Sequence, residues 1–204
     1  MPQDTFYNLP ETKKSRVIEA ALDEFSEYTY YKASISRIVE RADIAKGSFY
    51  QYFEDKTDLF NYLIGLIIEQ KMDYLQEVLK EQENKDFFQL LQELYEIGIK
   101  FARDHPRLNE IGNKLYKNKD RAIFEEIMEH HQNKSIDFFK NLLKKGRREG
   151  AVDEKIDIEF TAHILTSLNI FLSDFLYENG DISEEYLEII DKMLYIIENG
   201  IKKK

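Results

Sequence analysis

The 204-residue chain is 43% hydrophobic and 33% charged, a balance that supports a packed core and excludes a disordered polypeptide. The absence of cysteine excludes disulfides and thiol chemistry and fits a cytoplasmic protein. No apolar run is long enough to cross a membrane, and the first residues lack a signal pattern. The net charge of −10 argues against nucleic-acid binding by the surface as a whole, so any such binding must come from a local basic region. With only 8 Gly and 3 Pro among abundant Leu, Ile, Glu and Lys, the predicted fold class is all-α.

In chain order, residues 1–10 read as a loose arm. A first helix is predicted over Glu11–Glu27, with Val17, Ile18, Ala21, Leu22 and Phe25 on one face. Lys13, Lys14 and Arg16 on it serve either flanking phosphates or solubility. After a connector at 29–32, Ser34 has the chemistry of an N-cap, and Ile35, Ile38, Val39 and Ala42 follow at helical spacing. Asp43 stands where the chain must turn, and Asp tolerates the left-handed backbone region better than most residues. Another helix begins near Ala45-Lys46, with apolar Phe49, Tyr50 and Phe53.

The first turn of that second short helix is Lys46, Gly47 and Ser48, which has no bulk and can approach another surface closely. Helix N-termini favour phosphate, and Lys46 adds a full charge. Asp55 is placed to cap the next helix. This is the pattern of a helix-turn-helix whose second helix enters the DNA major groove. Residues 32–46 carry four basic groups (Lys32, Arg37, Arg41 and Lys46) against Glu40 and Asp43, a local positive balance within an acidic chain.

Residues 42–60, Ala-Asp-Ile-Ala-Lys-Gly-Ser-Phe-Tyr-Gln-Tyr-Phe-Glu-Asp-Lys-Thr-Asp-Leu-Phe, resemble the signature of the TetR family of bacterial transcriptional regulators. The pattern Ala-Gly-Val-Ser-Lys-Gly-Thr-Leu-Tyr-x-(His/Tyr)-Phe-x-x-Lys-x-x-Leu is met at Ala42, Lys46, Gly47, Tyr50, Tyr52, Phe53, Lys56 and Leu59, with conservative changes at Ile44, Ser48 and Phe49. Asp43 replaces the usual turn Gly and Ala45 the usual capping Ser, a loss worth about 1 kcal/mol that Asp43 is a candidate to supply. The resemblance implies a helix-turn-helix domain over 1–55 and a helical ligand-binding and dimerisation domain over 56–204. It implies Gly47, Ser48, Tyr50 and Gln51 near bases or sugar-phosphate, and Ser34, Lys46, Tyr52 and Lys56 on phosphates.

Beyond the motif, helices are predicted from Lys56 to about Glu81, from Asp86 to Asp104, near Arg107–Lys117, and from about Lys119 to Arg148 with Gly150 as its C-cap. His105-Pro106 interrupts the second of these. The last two, Asp157–Glu178 and Ser183–Asn199, are apolar over an arc too wide for one set of partners. They predict a homodimer through residues 157–199. The aromatic residues Tyr95, Phe101, Tyr116, Phe124, Phe138, Phe139, Phe171 and Phe175 read as core or as the lining of a site for an apolar or amphipathic inducer, with His163 and Asn169 to orient it.

Glu126 and His130 share a helix face with His131 beside them, which reads as a solvated patch, and neither a metal nor a cofactor is expected. Catalytic motifs are not found, and the resemblance implies a repressor acting on a double-stranded operator. The alternative is a helical ligand carrier or enzyme that only keeps the helix-turn-helix shape.

Overall fold

The computed structural model describes residues 2–80, 85–117, 121–178 and 185–201. Among these residues the secondary structure is helical, without strands. The helices are α1 (Asp4–Tyr7), α2 (Glu11–Glu27), α3 (Ile35–Arg41), α4 (Lys46–Tyr52), α5 (Lys56–Leu79), α6 (Phe87–Asp104), α7 (Pro106–Lys117), α8 (Arg121–Arg148), α9 (Ile158–Glu178) and α10 (Glu185–Ile201).

Local chemistry accounts for most of the helix ends. Pro106 opens α7 at the first helical position, where its missing N–H removes no hydrogen bond. Asp55 caps α5, its Oδ1 accepting from the Asp58 N–H at 2.8 Å. Gly150, at φ +75°, ends α8 in a Schellman motif: Ala151 N–H donates to Gly146 O at 2.9 Å and Gly150 N–H to Arg147 O at 3.1 Å. The same motif ends α3 at Asp43, φ 53°, with Ile44 N–H on Val39 O at 3.0 Å and Asp43 N–H on Glu40 O at 3.2 Å. Asp43 therefore does the conformational work that glycine does elsewhere.

The arm expected at residues 1–10 is instead partly helical. Phe6 is 0% exposed, and its ring lies 4.7 Å from that of Phe53, 5.4 Å from Tyr62 and 6.0 Å from Tyr52. One fully buried aromatic contributes about 2–3 kcal/mol, enough to order a segment with no apolar periodicity of its own.

By packing, the chain forms two compact units, residues 1–70 with 105–127 and residues 71–104 with 128–204. The boundary expected at residue 55 concerns function; packing groups the chain otherwise. In the first unit, Val17, Ala21, Phe25, Ile38, Phe49, Phe53, Leu59, Leu63 and Ile111 form a core, each at most 1% exposed. There α7 is fastened to α2 by Arg107, whose guanidinium meets Glu19 and Asp23 at 2.5 Å each.

In the second unit, Phe87, Leu90, Leu91, Leu143, Val152, Ala162, Leu165 and Ile190 are the centre of the core. Its helices α9 and α10 also carry exposed apolar side chains: Phe160 (66% exposed), Ile164 (42%), Phe171 (55%), Tyr195 (69%) and Ile196 (72%). No helix among the described residues is long and apolar enough to cross a membrane.

Candidate nucleic-acid interface

The pairing of α2 with α3 is built around a buried carboxylate. Glu24 on α2 is 0% exposed. Its Oε1 accepts from the Ser34 N–H at 2.8 Å and from Arg37 Nε at 2.9 Å and Nη2 at 2.5 Å. Arg37 also donates to Lys32 O at 2.7 Å, and its guanidinium lies 4.2 Å from the Tyr28 ring centroid. One acid thus fixes the start of α3, the connector before it and the roll of α3 against α2. Sequence reasoning missed Glu24. The available signal is its position four residues after Ala20 and three after Ala21, inside the apolar face.

This hub alters the reading of the local charge. Arg37 is engaged with Glu24, and Arg41 Nη2 donates to Glu27 at 2.8 Å. Two of the four basic groups counted between 32 and 46 therefore serve internal pairs, while Lys32 and Lys46 have exposed side chains.

Ser34 occupies the N-cap position of α3, but its hydroxyl makes no capping hydrogen bond, while its own backbone N–H donates to Glu24. The acceptor expected from Asp43 is also not delivered to α4. Asp43 Oδ2 meets Arg16 at 3.4 Å instead, and α4 begins at Ala45 with no side-chain cap. The Ser48 N–H donates to Ala45 O at 2.9 Å, and no side chain caps the α4 amides ahead of it, the condition that makes a helix start receptive to an anion.

On α4, Lys46, Gly47, Tyr50 and Gln51 are exposed and Ser48 is partly so, while Phe49 is 0% exposed and anchors the helix. A Cβ built on Gly47 meets nothing within 4 Å, so the packing of the chain does not demand glycine there.

Two expected phosphate ligands point inward. Tyr52 is 4% exposed and packs on Phe6. Lys56 Nζ donates to Tyr30 O at 2.7 Å and Ala33 O at 3.0 Å and sits 4.5 Å from the Tyr30 ring centroid. Its partial burial lowers its pKa from the ordinary lysine value, with the Glu24 charge partly offsetting the shift. Both side chains pack within this region, Tyr52 against Phe6 and Lys56 on two carbonyls and the Tyr30 ring.

Of the residues expected to line an inducer site, Tyr95 is 5% exposed, with its hydroxyl 3.5 Å from Leu165 O and burial raising its phenol pKa. Phe101 is 3% exposed and meets Tyr74 edge-on at 5.3 Å. Phe138 is partly buried, with its ring against Phe139 at 5.5 Å. Phe171 and His163 depart from the expectation. Both are exposed on α9, His163 with Nε2 3.8 Å from Glu159, because α9 is apolar on more than its core-facing side.

The side chains of Tyr116, Phe124, Asn169 and Phe175, and those of Glu126, His130 and His131, lie outside the described residues. An open groove of about 410 Å³ in the second unit is lined by Asp86, Phe88, Gln89, Gln92, Ala151, Leu194 and Glu198. None of these was expected to bind a ligand.

Residues 17–63 match the model of the bacterial regulatory proteins of the tetR family, and residues 85–202 that of the tetracyclin repressor-like C-terminal domain. The chain belongs to the TetR family. A TetR family transcriptional regulator from Chloroflexus aurantiacus is 34% identical over the whole of both chains, with a TM-score of 0.71. The probable acrEF/envCD operon repressor of Escherichia coli K12 is 24% identical over 155 residues, 74% of this chain and 70% of that protein. The transcriptional regulator FadR from Bacillus subtilis, solved in complex with stearoyl-CoA, shares the fold with a TM-score of 0.71 at 18% identity, over 92% of this chain and 98% of that one. As a TetR-family protein, the chain is a ligand-responsive, DNA-binding transcriptional regulator. The match over residues 17–63 begins within α2, takes in α3 and α4, and ends within α5.

Proposed function

We propose that this TetR-family chain is a homodimeric cytoplasmic repressor that sets one α4 from each subunit into a near-palindromic operator. The observation that carries the reading is the exposed row Lys46, Gly47, Tyr50 and Gln51 on α4, at whose glycine the chain's own packing makes no demand. Gly47 lets the helix approach closely. Tyr50, Gln51 and Ser48 face base edges or sugar, Gln being able to read adenine. Lys46 and the Ser34 hydroxyl take phosphates, while Tyr52 and Lys56 brace α4 from behind.

The exposed Phe160, Ile164, Phe171, Tyr195 and Ile196 on α9 and α10 support dimerisation through these helices, with His163 on the same face. The inducer is an apolar or amphipathic molecule held in the second unit among aromatic groups that include Tyr95, Phe101 and Phe138. The stearoyl-CoA complex of the Bacillus subtilis regulator supports a long acyl chain on a charged head group.

The test begins with duplexes selected by the purified protein from its own genome. Footprinting should show two half-sites about one helical turn, roughly 34–36 Å, apart. Titration of long- and short-chain acyl-CoAs should then weaken operator binding, and operator should weaken acyl-CoA binding by the same factor, typically about 5- to 150-fold. Acyl-CoA that binds equally well with and without operator would refute release by that ligand. A single protected half-site with a monomer in light scattering would refute the dimer.

A further inference from the structure

The segment ahead of α2 lies outside the part of the chain matched to the family's DNA-binding model, and it touches the recognition helix at the end where that helix most needs support. An isolated helix of seven residues is not stable in water, and α4 (Lys46–Tyr52) starts without a side-chain cap. The last four carbonyls of a helix have no partner within it. In α4, the Phe49 carbonyl accepts from the Phe53 N–H at 2.9 Å. The Tyr52 carbonyl accepts from the Gln3 N–H at 2.8 Å, and the Gln51 carbonyl from the Thr5 hydroxyl. Phe6 inserts beside these bonds against Tyr52 and Phe53. Gln51, whose side chain is exposed, is thus held through its own carbonyl by a residue 46 positions earlier.

We propose that Gln3–Tyr7 is a C-terminal lock on α4 that sets how well the protein discriminates its operator from other DNA. The lock rests on the reading that α4 enters the groove. Gln3, Thr5 and Phe6 are positioning residues. They do not touch DNA; they hold Tyr50 and Gln51 in the orientation from which bases are read. Loosening the lock therefore weakens sequence-specific contacts and leaves the phosphate contacts of Lys46, at the other end of α4, in place.

Two substitutions remove the polar contacts. Gln3 has φ −73°, which proline also adopts, so Gln3→Pro deletes the N–H without straining its own backbone, and its ring Cδ, set where the proton faced the Tyr52 carbonyl, also pushes the segment off α4. Thr5→Val deletes the hydroxyl, and Thr5→Ser keeps it. In the full chain, affinity for the genome-selected duplex should fall about 3- to 10-fold for Thr5→Val, the scale of one net hydrogen bond, by at least as much for Gln3→Pro, whose ring also displaces the segment, and further in the double variant. Affinity for an unrelated duplex, and the dependence of binding on salt, should stay within about 2-fold of the parent, because no phosphate contact is lost. Thr5→Ser should behave as the parent. Amide hydrogen exchange at residues 49–53 should accelerate in step with the loss of operator affinity.

Unchanged exchange and unchanged discrimination in the double variant would overturn the lock itself. Faster exchange with unchanged discrimination would overturn the proposal from the other side, by showing that α4 is not the helix that reads the operator. An equal loss on both duplexes would also overturn it, since the segment would then be contacting the DNA backbone directly.

Discussion

Gly47 and Gly146 look alike in the sequence, each following a lysine inside a helix, yet their surroundings are opposite. Around Gly47 on α4 an added Cβ meets nothing within 4 Å. At Gly146 near the end of α8 it lies 2.6 and 2.8 Å from atoms of the Phe87 ring and 2.8 Å from Val152 Cγ2. Glycine inside a helix costs about 1 kcal/mol relative to alanine. At Gly146 the cost is offset inside the molecule, where the glycine lets α8 close on Phe87 and Val152. At Gly47, as at Gly65, Gly98 and Gly112, nothing inside the chain offsets it, and what sets Gly47 apart is its place in the exposed first turn of α4, where a surface can approach from outside. A residue that makes sense only within the core belongs to stability, and one that makes sense only with a partner belongs to function.

The largest expected effect breaks the crowded side of this comparison. Gly146→Ala should destabilise the protein by up to about 2 kcal/mol, since overpacking costs about 1–3 kcal/mol and the gain in helix propensity recovers about 1 kcal/mol. Phe87 is 2% exposed and Val152 is 0% exposed, so neither can swing away into solvent. Urea denaturation measures the loss, and operator affinity of the folded fraction should be unchanged. A neutral result would mean that α8 and Phe87 separate at little cost.

The next effect breaks the open side. Gly47→Ala should raise stability by up to about 1 kcal/mol through helix propensity. It should also weaken operator binding by about 10-fold or more, the scale of losing a base contact worth about 1–3 kcal/mol. The two changes move in opposite directions, which a folding defect cannot imitate. Thermal melting together with operator titration checks both. A variant that is more stable and binds as well as the parent would remove Gly47 from the interface.

The helices were legible in the sequence where local chemistry sets them. The extent of α2 follows from its apolar period, and the break between α6 and α7 from His105-Pro106. Gly150 marks the end of α8. Asp43 was legible as a turn because its αL preference is local. What the sequence did not show depends on pairs distant in the chain. Glu24 reads as one more acid until Ser34 and Arg37 are seen to converge on it. Phe6 reads as part of an arm until Phe53 and Tyr62 enclose it. Phe171 and His163 read as interior because α9 is apolar on several sides, and a single sequence cannot say which side faces its own core. For the DNA-facing residues the motif gave position along the chain but not direction. Lys46 and Lys56 look equivalent there, and only the carbonyls of Tyr30 and Ala33 show that Lys56 turns inward.

That pair of lysines sharpens the comparison with the smallest expected effects. Lys46→Ala removes an exposed cation from the first turn of α4. It should change stability by less than about 0.5 kcal/mol, as surface substitutions usually do. It should reduce the slope of log affinity against log salt by about 2 per dimer, one phosphate contact being lost in each subunit. Lys56→Met keeps the side-chain length but deletes the donor to two carbonyls and the charge over the Tyr30 ring. It should lower stability by about 1 kcal/mol, the net scale of a hydrogen bond, and leave the salt slope unchanged. Operator titrations between low and moderate salt, run beside urea melts of both variants, separate the two cases. Lys56→Met flattening the slope as much as Lys46→Ala would show that Lys56 leaves its carbonyls when DNA binds, and the inward assignment would then hold only for the free protein. Lys46→Ala with an unchanged slope would show that the exposed first turn of α4 does not carry the phosphate contact, and that contact would have to be sought on α2 or at Ser34.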